Sequence, residues 1–231
     1  MRFTNSAADS DGFLRELHHR VKNNFQIIAS LVNLQKRMLP ADRRGEARFV
    51  EEHVQSMAAA YRIVTVSDGI VQVALDDLVS DVVDTLRQIA DVAREGVALE
   101  LPRAHCFIRI DQAVAMGLYL AVLVPPYLDA AAAVGGVARI TVVVDDPGAV
   151  DDPGYATVSI SIDKEARIAT DPLRRRLTAA YLRQLFAELD PTANDGATRV
   201  KIQLQPLQAA IAVGQSEAVG QSGAMGQSEL N

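Results

Sequence analysis

The strongest constraint on the fold is an apolar pattern that continues for about seven helical turns near the start of the chain. Its members recur at spacings of three and four: Leu14, Leu17, Val21, Phe25, Ile28, Leu31, Leu34 and Met38. This spacing predicts a long helix with one apolar seam that packs lengthwise against other helices. Asp9, Ser10 or Asp11 can cap its first turn, and Pro40 ends it.

A second helix is predicted directly afterwards, over 42–66. Asp42 can cap it and Asp68-Gly69 ends it. Its apolar stripe comprises Phe49, His53, Met57, Ala60, Tyr61 and Val64. Two helices joined by a short turn form an antiparallel hairpin. Because one hairpin buries little apolar surface, the pattern predicts homodimerisation into a four-helix bundle.

The rest of the chain alternates strand-like and helix-like runs. The predicted strands are 71–74, 97–101, 105–110, 137–145, 155–162 and 197–205, and the predicted helices are 75–94, 111–133 and 171–190. This order indicates an α/β sandwich with helices on one face of a mixed sheet, so the chain as a whole is of the α+β class.

Three regions follow from these patterns. The helical hairpin occupies 11–70 and the α/β domain 71–206. The stretch 207–231 is a low-complexity tail in which a six-residue motif beginning Gly-Gln-Ser occurs three times. We expect this tail to be disordered.

Composition excludes several classes of function. The net charge is −6, which disfavours binding to nucleic acid or to anionic membranes. Cys106 is the single cysteine, so disulfide frameworks and zinc sites built on several thiolates are excluded. The polar start of the chain lacks the apolar core of a secretory signal. Pro125, Pro126 and Asp129 interrupt the most apolar stretch, which favours a buried helix over a membrane span and a cytoplasmic location.

The adjacent pair His18 and His19 is the most informative chemical feature. At about 100° per residue, His18 lies at the edge of the apolar seam and His19 points away from it. Three further polar side chains share the direction of His19: Lys22, Asn23 and Gln26. An exposed imidazole beside a cation and amide groups suits a phosphoryl acceptor, because a ring nitrogen can attack phosphorus while its neighbours stabilise the phosphoryl oxygens.

The same pattern also describes an ordinary solvated helix face with two incidental histidines. A metal site is excluded, because adjacent helical residues point in different directions and cannot hold one ion together.

The run from Glu16 to Gln35 resembles the phosphoacceptor helix of HWE-type sensor histidine kinases. In that family the phosphorylated histidine directly precedes Arg-Val-Lys-Asn, which places it at His19. The resemblance implies supporting roles for His18, Arg20, Lys22, Asn23 and Gln26. It also implies that 71–206 is an ATP-binding domain of the Bergerat type.

The residues that would bind nucleotide in such a domain are missing. Ala121 and Val122 stand where the family places Asn and Glu, and Pro126 stands near its second Asn. None offers a side-chain oxygen, which Mg²⁺ requires. Asp163 is not followed by the expected glycines, and no glycine occurs between Lys164 and Asp195. Lys164, Arg167 and the run 174–176 form either a phosphate-binding or a solvated basic face.

An intact phosphoacceptor helix with a degenerate ATP site resembles histidine phosphotransferases built on a kinase scaffold. The expected activity is a phosphorelay between receiver-domain aspartates through a phosphohistidine. The partner response-regulator receiver would supply Mg²⁺, and this chain would bind neither nucleotide, metal nor nucleic acid. The alternatives are an active histidine kinase with an atypical nucleotide site and a non-catalytic dimeric protein that sequesters a response regulator.

Overall fold

A computed structural model describes residues 6–40, 43–67, 70–101, 106–145, 154–169, 171–190 and 197–207. The chain begins with an antiparallel helical hairpin made of α1 (Ser6–Met38) and α2 (Arg44–Ile63). Both predicted helices are present, although α1 begins a few residues earlier than predicted. The prediction that α2 extends to residue 66 is wrong, since Val64 takes up an extended conformation and a short strand follows.

The remaining elements alternate as the sequence indicates. In chain order they are β1 (Thr65–Ser67), β2 (Ile70–Ala74), α3 (Leu75–Ala90), a 3₁₀ turn (Arg94–Gly96), β3 (Val97–Glu100), β4 (Phe107–Ile108), α4 (Ile110–Val134), β5 (Ala138–Asp145), β6 (Tyr155–Ile162), α5 (Pro172–Leu185), β7 (Ala187–Leu189) and β8 (Ala197–Gln203). The α+β class is therefore confirmed.

The strands form two sheets. The larger has the order β3-β5-β6-β8-β7, with β3 parallel to β5 and the other neighbours antiparallel, which makes it mixed as predicted. A small antiparallel sheet joins β1, β2 and β4. In β6 the buried residues alternate, as expected for a strand with one face in the core.

Two further helices, α3 and α5, also end earlier than the sequence suggests. Helix α3 stops at Ala90 rather than 94, because Asp91 takes a left-handed conformation and its N–H caps the carbonyls of Arg87 and Gln88. Helix α5 stops at Leu185 rather than 190. Phe186 is also left-handed, and the chain then reverses into β7, which pairs with β8.

Helix α4 continues through Pro125 and Pro126 without a break, as the predicted helix over 111–133 requires. By length and composition α4 is the one described helix that could cross a membrane, but 67% of its most apolar window is buried. Such burial is typical of the central helix of a folded domain. The repeat-containing tail, apart from Leu207, lies outside the described residues.

The core joins the hairpin to the α/β region. Ala59 and Ala60 of α2 belong to the same buried cluster as Met116, Tyr119 and the inward-facing strand residues. Helix α4 lies directly on α2, since a Cβ atom added at Gly117 would stand 2.5 Å from the carbonyl oxygen of Ser56. Helix α2 is therefore shared by the two regions that the sequence separates at residue 70.

Replacing Gly117 with alanine is expected to lower the free energy of unfolding by about 1–3 kcal/mol, as overpacked core substitutions do. The added methyl group meets backbone atoms, which cannot move aside as a flexible side chain can. Urea denaturation of the variant provides the measurement. Gly45→Ala is the matched control, because the space around Gly45 in α2 is open and alanine favours helix by about 1 kcal/mol. Equal stability of the two variants would contradict the close contact.

Candidate functional site

The position of His19 is set by the unequal lengths of the two hairpin helices. Helix α1 has 33 residues and α2 has 20. The pair is aligned by the rings of Phe25 and Tyr61, which stack 5.4 Å apart, and by the ion pair between Lys36 and Glu51. In this antiparallel register α2 ends before reaching the level of His19, which lies about one helical turn beyond it.

His19 is exposed, as the helical periodicity predicts. The amide nitrogen Nδ2 of Asn23, one turn further along, lies 3.3 Å from the ring nitrogen Nδ1. Arg20 is exposed and donates to the carboxylate of Glu16 at 2.7 Å. The backbone of His18 lies in the same helix, but its side chain is outside the described part of the structure.

Lys22 and Gln26 lie along a polar groove between α1 and α2. The groove has a volume of about 430 Å³ and is lined by Lys22, Gln26, Ala29, Ser30, Asn33, Gln55, Ala58 and Arg62. The guanidinium of Arg62 is held by the carboxylate of Asp81 in α3 at 2.6 Å. Two of the predicted supporting residues, Lys22 and Gln26, therefore line a concave surface. Both hairpin helices form this surface, and the α/β region contributes to it because Asp81 holds Arg62.

The predicted apolar seam of α1 is correct only in part. Phe25 of the seam is partly buried, and the buried residues on its face of the helix are Ala29 and Val32, which the seam did not include. The second face is an exposed apolar stripe made of Ile27, Ile28, Leu31, Leu34 and Met38. At about 100° per residue this stripe lies roughly a third of a turn away from the groove that begins beside His19. A partner that covers the stripe would therefore leave the groove open.

The positions that a kinase of this type would use for ATP and Mg²⁺ are apolar or already bonded. Ala121 is fully buried and Val122 nearly so, and neither carries a polar side-chain atom. The carbonyl oxygen of Val122 accepts a hydrogen bond from Arg174 Nη1 at 3.0 Å.

The segment after β6 is likewise bonded within the chain. Asp163 Oδ1 accepts the backbone N–H of Val137 at 2.7 Å, and Lys164 Nζ donates to the carbonyl of Gly135 at 2.6 Å. Both side chains join the segment after β6 to the turn between α4 and β5, and neither lines a cavity for a nucleotide in the described part of the chain. The residues present at these positions do not fit an ATP·Mg²⁺ complex. No group of three or more His, Cys, Asp or Glu residues placed to hold a metal ion occurs in the described part of the chain.

A partly buried histidine, His53, lies where α2 meets α5. Its Nδ1 donates to the carbonyl of Phe49 at 2.8 Å, and its ring lies 4.3 Å from the Phe49 ring. Burial lowers the pKa of His53, and the positive charge of Arg174 adds to that effect. The predicted place of His53 in the apolar stripe of α2 agrees with this packing role.

Because its pKa is lower in the folded chain than in the unfolded chain, His53 takes up a proton more readily when unfolded. Stability is therefore expected to fall as the pH drops below about 6.5, the ordinary value for histidine. Urea denaturation between pH 7.5 and 6 measures the slope. His53→Leu is expected to flatten it, whereas His19→Gln serves as the control that removes an exposed histidine. An unchanged slope in His53→Leu would contradict this assignment.

Comparison with known proteins gives a direct match for the hairpin. Residues 16–90 match the HisKA_2 histidine kinase family. The chain is 34% identical over 89 residues to the sensor histidine kinase PdtaS of Mycobacterium tuberculosis, and 34% identical over 83 residues to PdtaS of Mycolicibacterium smegmatis. Each match covers 36% of this chain, and the chain spans only 17% and 16% of those relatives.

Solved structures extend the likeness of the fold across most of the chain. The histidine kinase domain of the blue-light activated histidine kinase from Erythrobacter litoralis EL346 has a TM-score of 0.55 at 17% identity, covering 87% of this chain and 94% of that domain. A longer structure of the same kinase has a TM-score of 0.53 at 19% identity, over 83% of this chain and 62% of that one. The chain therefore carries a segment that is similar to the HisKA_2 histidine kinase family, within a fold similar to that of histidine kinase domains.

Proposed function

We propose that this chain is a histidine phosphotransferase, which carries a phosphoryl group on His19 between receiver-domain aspartates and does not bind ATP. The observation that supports this function best is a contrast within one chain. The imidazole of His19 is exposed beside Asn23 and a polar groove, whereas Ala121 and Val122 are buried apolar residues. The acceptor is accessible, and the residues that would serve a nucleotide are not present.

The chemistry at His19 needs one ring nitrogen with a free lone pair. In the structure the amide nitrogen Nδ2 of Asn23 faces Nδ1. Rotation of this amide by 180° would turn its oxygen to Nδ1, where it would accept the Nδ1 proton and leave the lone pair of Nε2 free. Nε2 then attacks the phosphorus of an aspartyl phosphate. The N–P bond forms as the P–O bond breaks, and the receiver carboxylate leaves with the electron pair. The rotated amide oxygen at Nδ1 would stabilise the positive charge that develops on the ring, and the reverse step passes the group to a second receiver.

The partner that fits this chemistry is a response-regulator receiver domain. Its aspartate supplies or takes the phosphoryl group, and its own carboxylates would hold the Mg²⁺ that neutralises the phosphoryl oxygens. The groove beside His19 offers cationic and amide donors in Lys22, Gln26 and Gln55. We assign this groove, together with the exposed side chains of His19 and Asn23 beside it, as the docking surface for the receiver.

The exposed apolar stripe of α1 supports a homodimer as the working form. Five large apolar side chains lie side by side on the helix face that is turned away from α2. A contiguous apolar patch of this kind marks an interaction surface. A second copy that covers it would complete a four-helix bundle and leave both grooves open.

A receiver domain carrying labelled phosphate on its aspartate tests the function. Incubation with the full chain is expected to move the label onto this chain in a form that acid removes and alkali does not, as for a phosphohistidine. The chain should then return the label to an unphosphorylated receiver. A chain that regulates its partner without ever becoming labelled would instead be a sequestering protein, and the proposal would be wrong.

A further inference from the structure

A charged cluster built around the buried carboxylate of Glu52 ties three helices together at the junction between the hairpin and the α/β region. Helix α2 contributes Arg48 and Glu52, α4 contributes Asp129, and α5 contributes Arg174. Arg48 bonds Glu52 Oε1 at 2.8 Å and Asp129 Oδ1 at 3.2 Å. The other oxygen of Glu52 lies 4.0 Å from Arg174 Nη2. We call these four residues the junction cluster.

A proline in α4 explains why Arg174 is needed there. In an α-helix the carbonyl of Val122 would accept the N–H of residue 126, but Pro126 has no N–H to donate. A buried carbonyl without a partner costs about 1–3 kcal/mol. Arg174 Nη1 donates to this carbonyl at 3.0 Å and therefore replaces the missing helical bond with one from α5.

Arg174 is itself held in a single orientation. It lies in the first turn of α5, where its backbone N–H donates to Asp171 Oδ1 at 2.9 Å and its Nε lies 3.3 Å from Asp171 Oδ2. Its guanidinium also stands over the ring of Phe49 in α2, 5.5 Å from the centroid. One side chain thus contacts α2, α4 and the cap of its own helix.

We expect the junction cluster to fix the relative orientation of α2, α4 and α5 more than it adds to the free energy of unfolding. Glu52 is 1% exposed, and this burial raises its pKa against the opposing effect of Arg48. Buried ion pairs seldom add net stability, because desolvation offsets their attraction, but they accept only a narrow range of geometries. The planar guanidinium of an arginine narrows the accepted geometry further, because its N–H donors point in fixed directions.

The orientation of the α/β region on α2, which the junction cluster sets, also affects the groove beside His19. Helix α2 carries Glu52 near its middle and Arg62 near its end, and Arg62 lines the groove while it binds Asp81 of α3. The α/β region therefore holds α2 at two places, one buried and one beside the docking surface. A rotation of that region about α2 would displace Asp81 and change the groove.

From this geometry we propose that Arg174 is a positioning residue for phosphotransfer: it fixes the α/β region on α2 and so keeps the docking groove for the receiver in one shape. This inference rests on the proposed function. Because Arg174 touches neither His19 nor the groove, its loss should weaken receiver docking and leave the chemical step intact.

Steady-state transfer from a phosphorylated receiver, through the full chain, to an excess of a second, unphosphorylated receiver gives separate values for docking, in KM, and for the chemical step, in kcat. Arg174→Met is expected to raise KM for the receiver by roughly fivefold or more, the lower end of ordinary coupling effects, with kcat unchanged. Arg174→Lys should recover part of the loss. Arg175→Met is the matched control, since Arg175 is exposed on the same helix. A merely structural role would lower kcat through loss of folded protein, and that result would overturn the proposal.

The distance between two spin labels, one on the hairpin and one on the α/β region, measures how these two parts are oriented. Gln35 of α1 and Glu188 of β7 are exposed and accept introduced cysteines. The native Cys106 is buried, and burial, with the Asp76 charge adding, raises the pKa of its thiol to about 11, which protects it from labelling. Arg174→Met is expected to broaden the distance distribution between the two labels.

Asp129→Asn offers a milder variant should Arg174→Met not fold, because Asp129 is the exposed member of the junction cluster. It is expected to broaden the distribution to a smaller extent. A narrow, unchanged distribution in a folded variant would overturn the proposal. If the unsubstituted chain accepts no phosphoryl group, the proposed function fails, while the distance measurement still decides the positioning role.

Discussion

His19→Gln is expected to abolish the appearance of label on this chain when a phosphorylated receiver is the donor. Glutamine keeps the polarity and approximate size of the side chain but has no nucleophilic nitrogen, so no covalent intermediate can form. Because His19 is exposed, the substitution should leave the free energy of unfolding unchanged within about 0.5 kcal/mol. The label is followed on the separated chains, and folding is checked by circular dichroism.

His18→Gln is the control for this experiment, since it removes the neighbouring histidine from the same helical turn. It is expected to retain transfer, because adjacent positions on a helix face different directions. Label that survives in His19→Gln and disappears in His18→Gln would move the acceptor to the other histidine. Loss of label in both variants would point to a need for the pair.

A double substitution in the exposed apolar stripe, Leu31→Asp with Leu34→Asp, is expected to convert a dimer into a monomer. Leu31 and Leu34 are 60% and 57% exposed, so the single chain tolerates the change. Burying a leucine contributes about 1.5–3 kcal/mol, and a symmetric interface contains each position twice. The dissociation constant should therefore rise by roughly a hundredfold or more. Sedimentation equilibrium measures it.

Ser30→Asp is the matched control for the dimer experiment. Ser30 is exposed on the same helix but lines the groove on the His19 side. It adds one negative charge to the same helix without touching the stripe, and the dimer should persist. A double variant that associates as tightly as the unsubstituted chain would show that the stripe serves another purpose.

Local patterns predicted much of the fold because they depend on neighbouring residues. The run 155–162 was predicted as a strand and is one, and α4 differs from its predicted bounds by one residue at each end. The exposure of His19 followed from helical periodicity alone. The left-handed backbone conformations of Asp91 and Phe186 were not predictable, because neither residue is a glycine. Both conformations depend on the direction that the chain takes after the helix ends.

The features that the sequence could not reveal are those that join distant segments. Periodicity assigned α1 one apolar seam, but it could not divide the seam between α2 and solvent. Pro126 leaves the carbonyl of Val122 without its helical donor, and no residue near it in sequence indicates that Arg174, about fifty residues later, supplies the replacement. The shared core around α2 depends on the close contact of Gly117 with Ser56, which is equally remote in sequence.

The central claim is that His19 receives its phosphoryl group from a receiver and not from a nucleotide. The most direct test labels one preparation of the full chain in two ways, with γ-labelled ATP and Mg²⁺ and with a phosphorylated receiver, and compares the amount of label at His19. The account requires labelling by the receiver and none by ATP. Efficient labelling of His19 by ATP would contradict it and would make the chain a kinase.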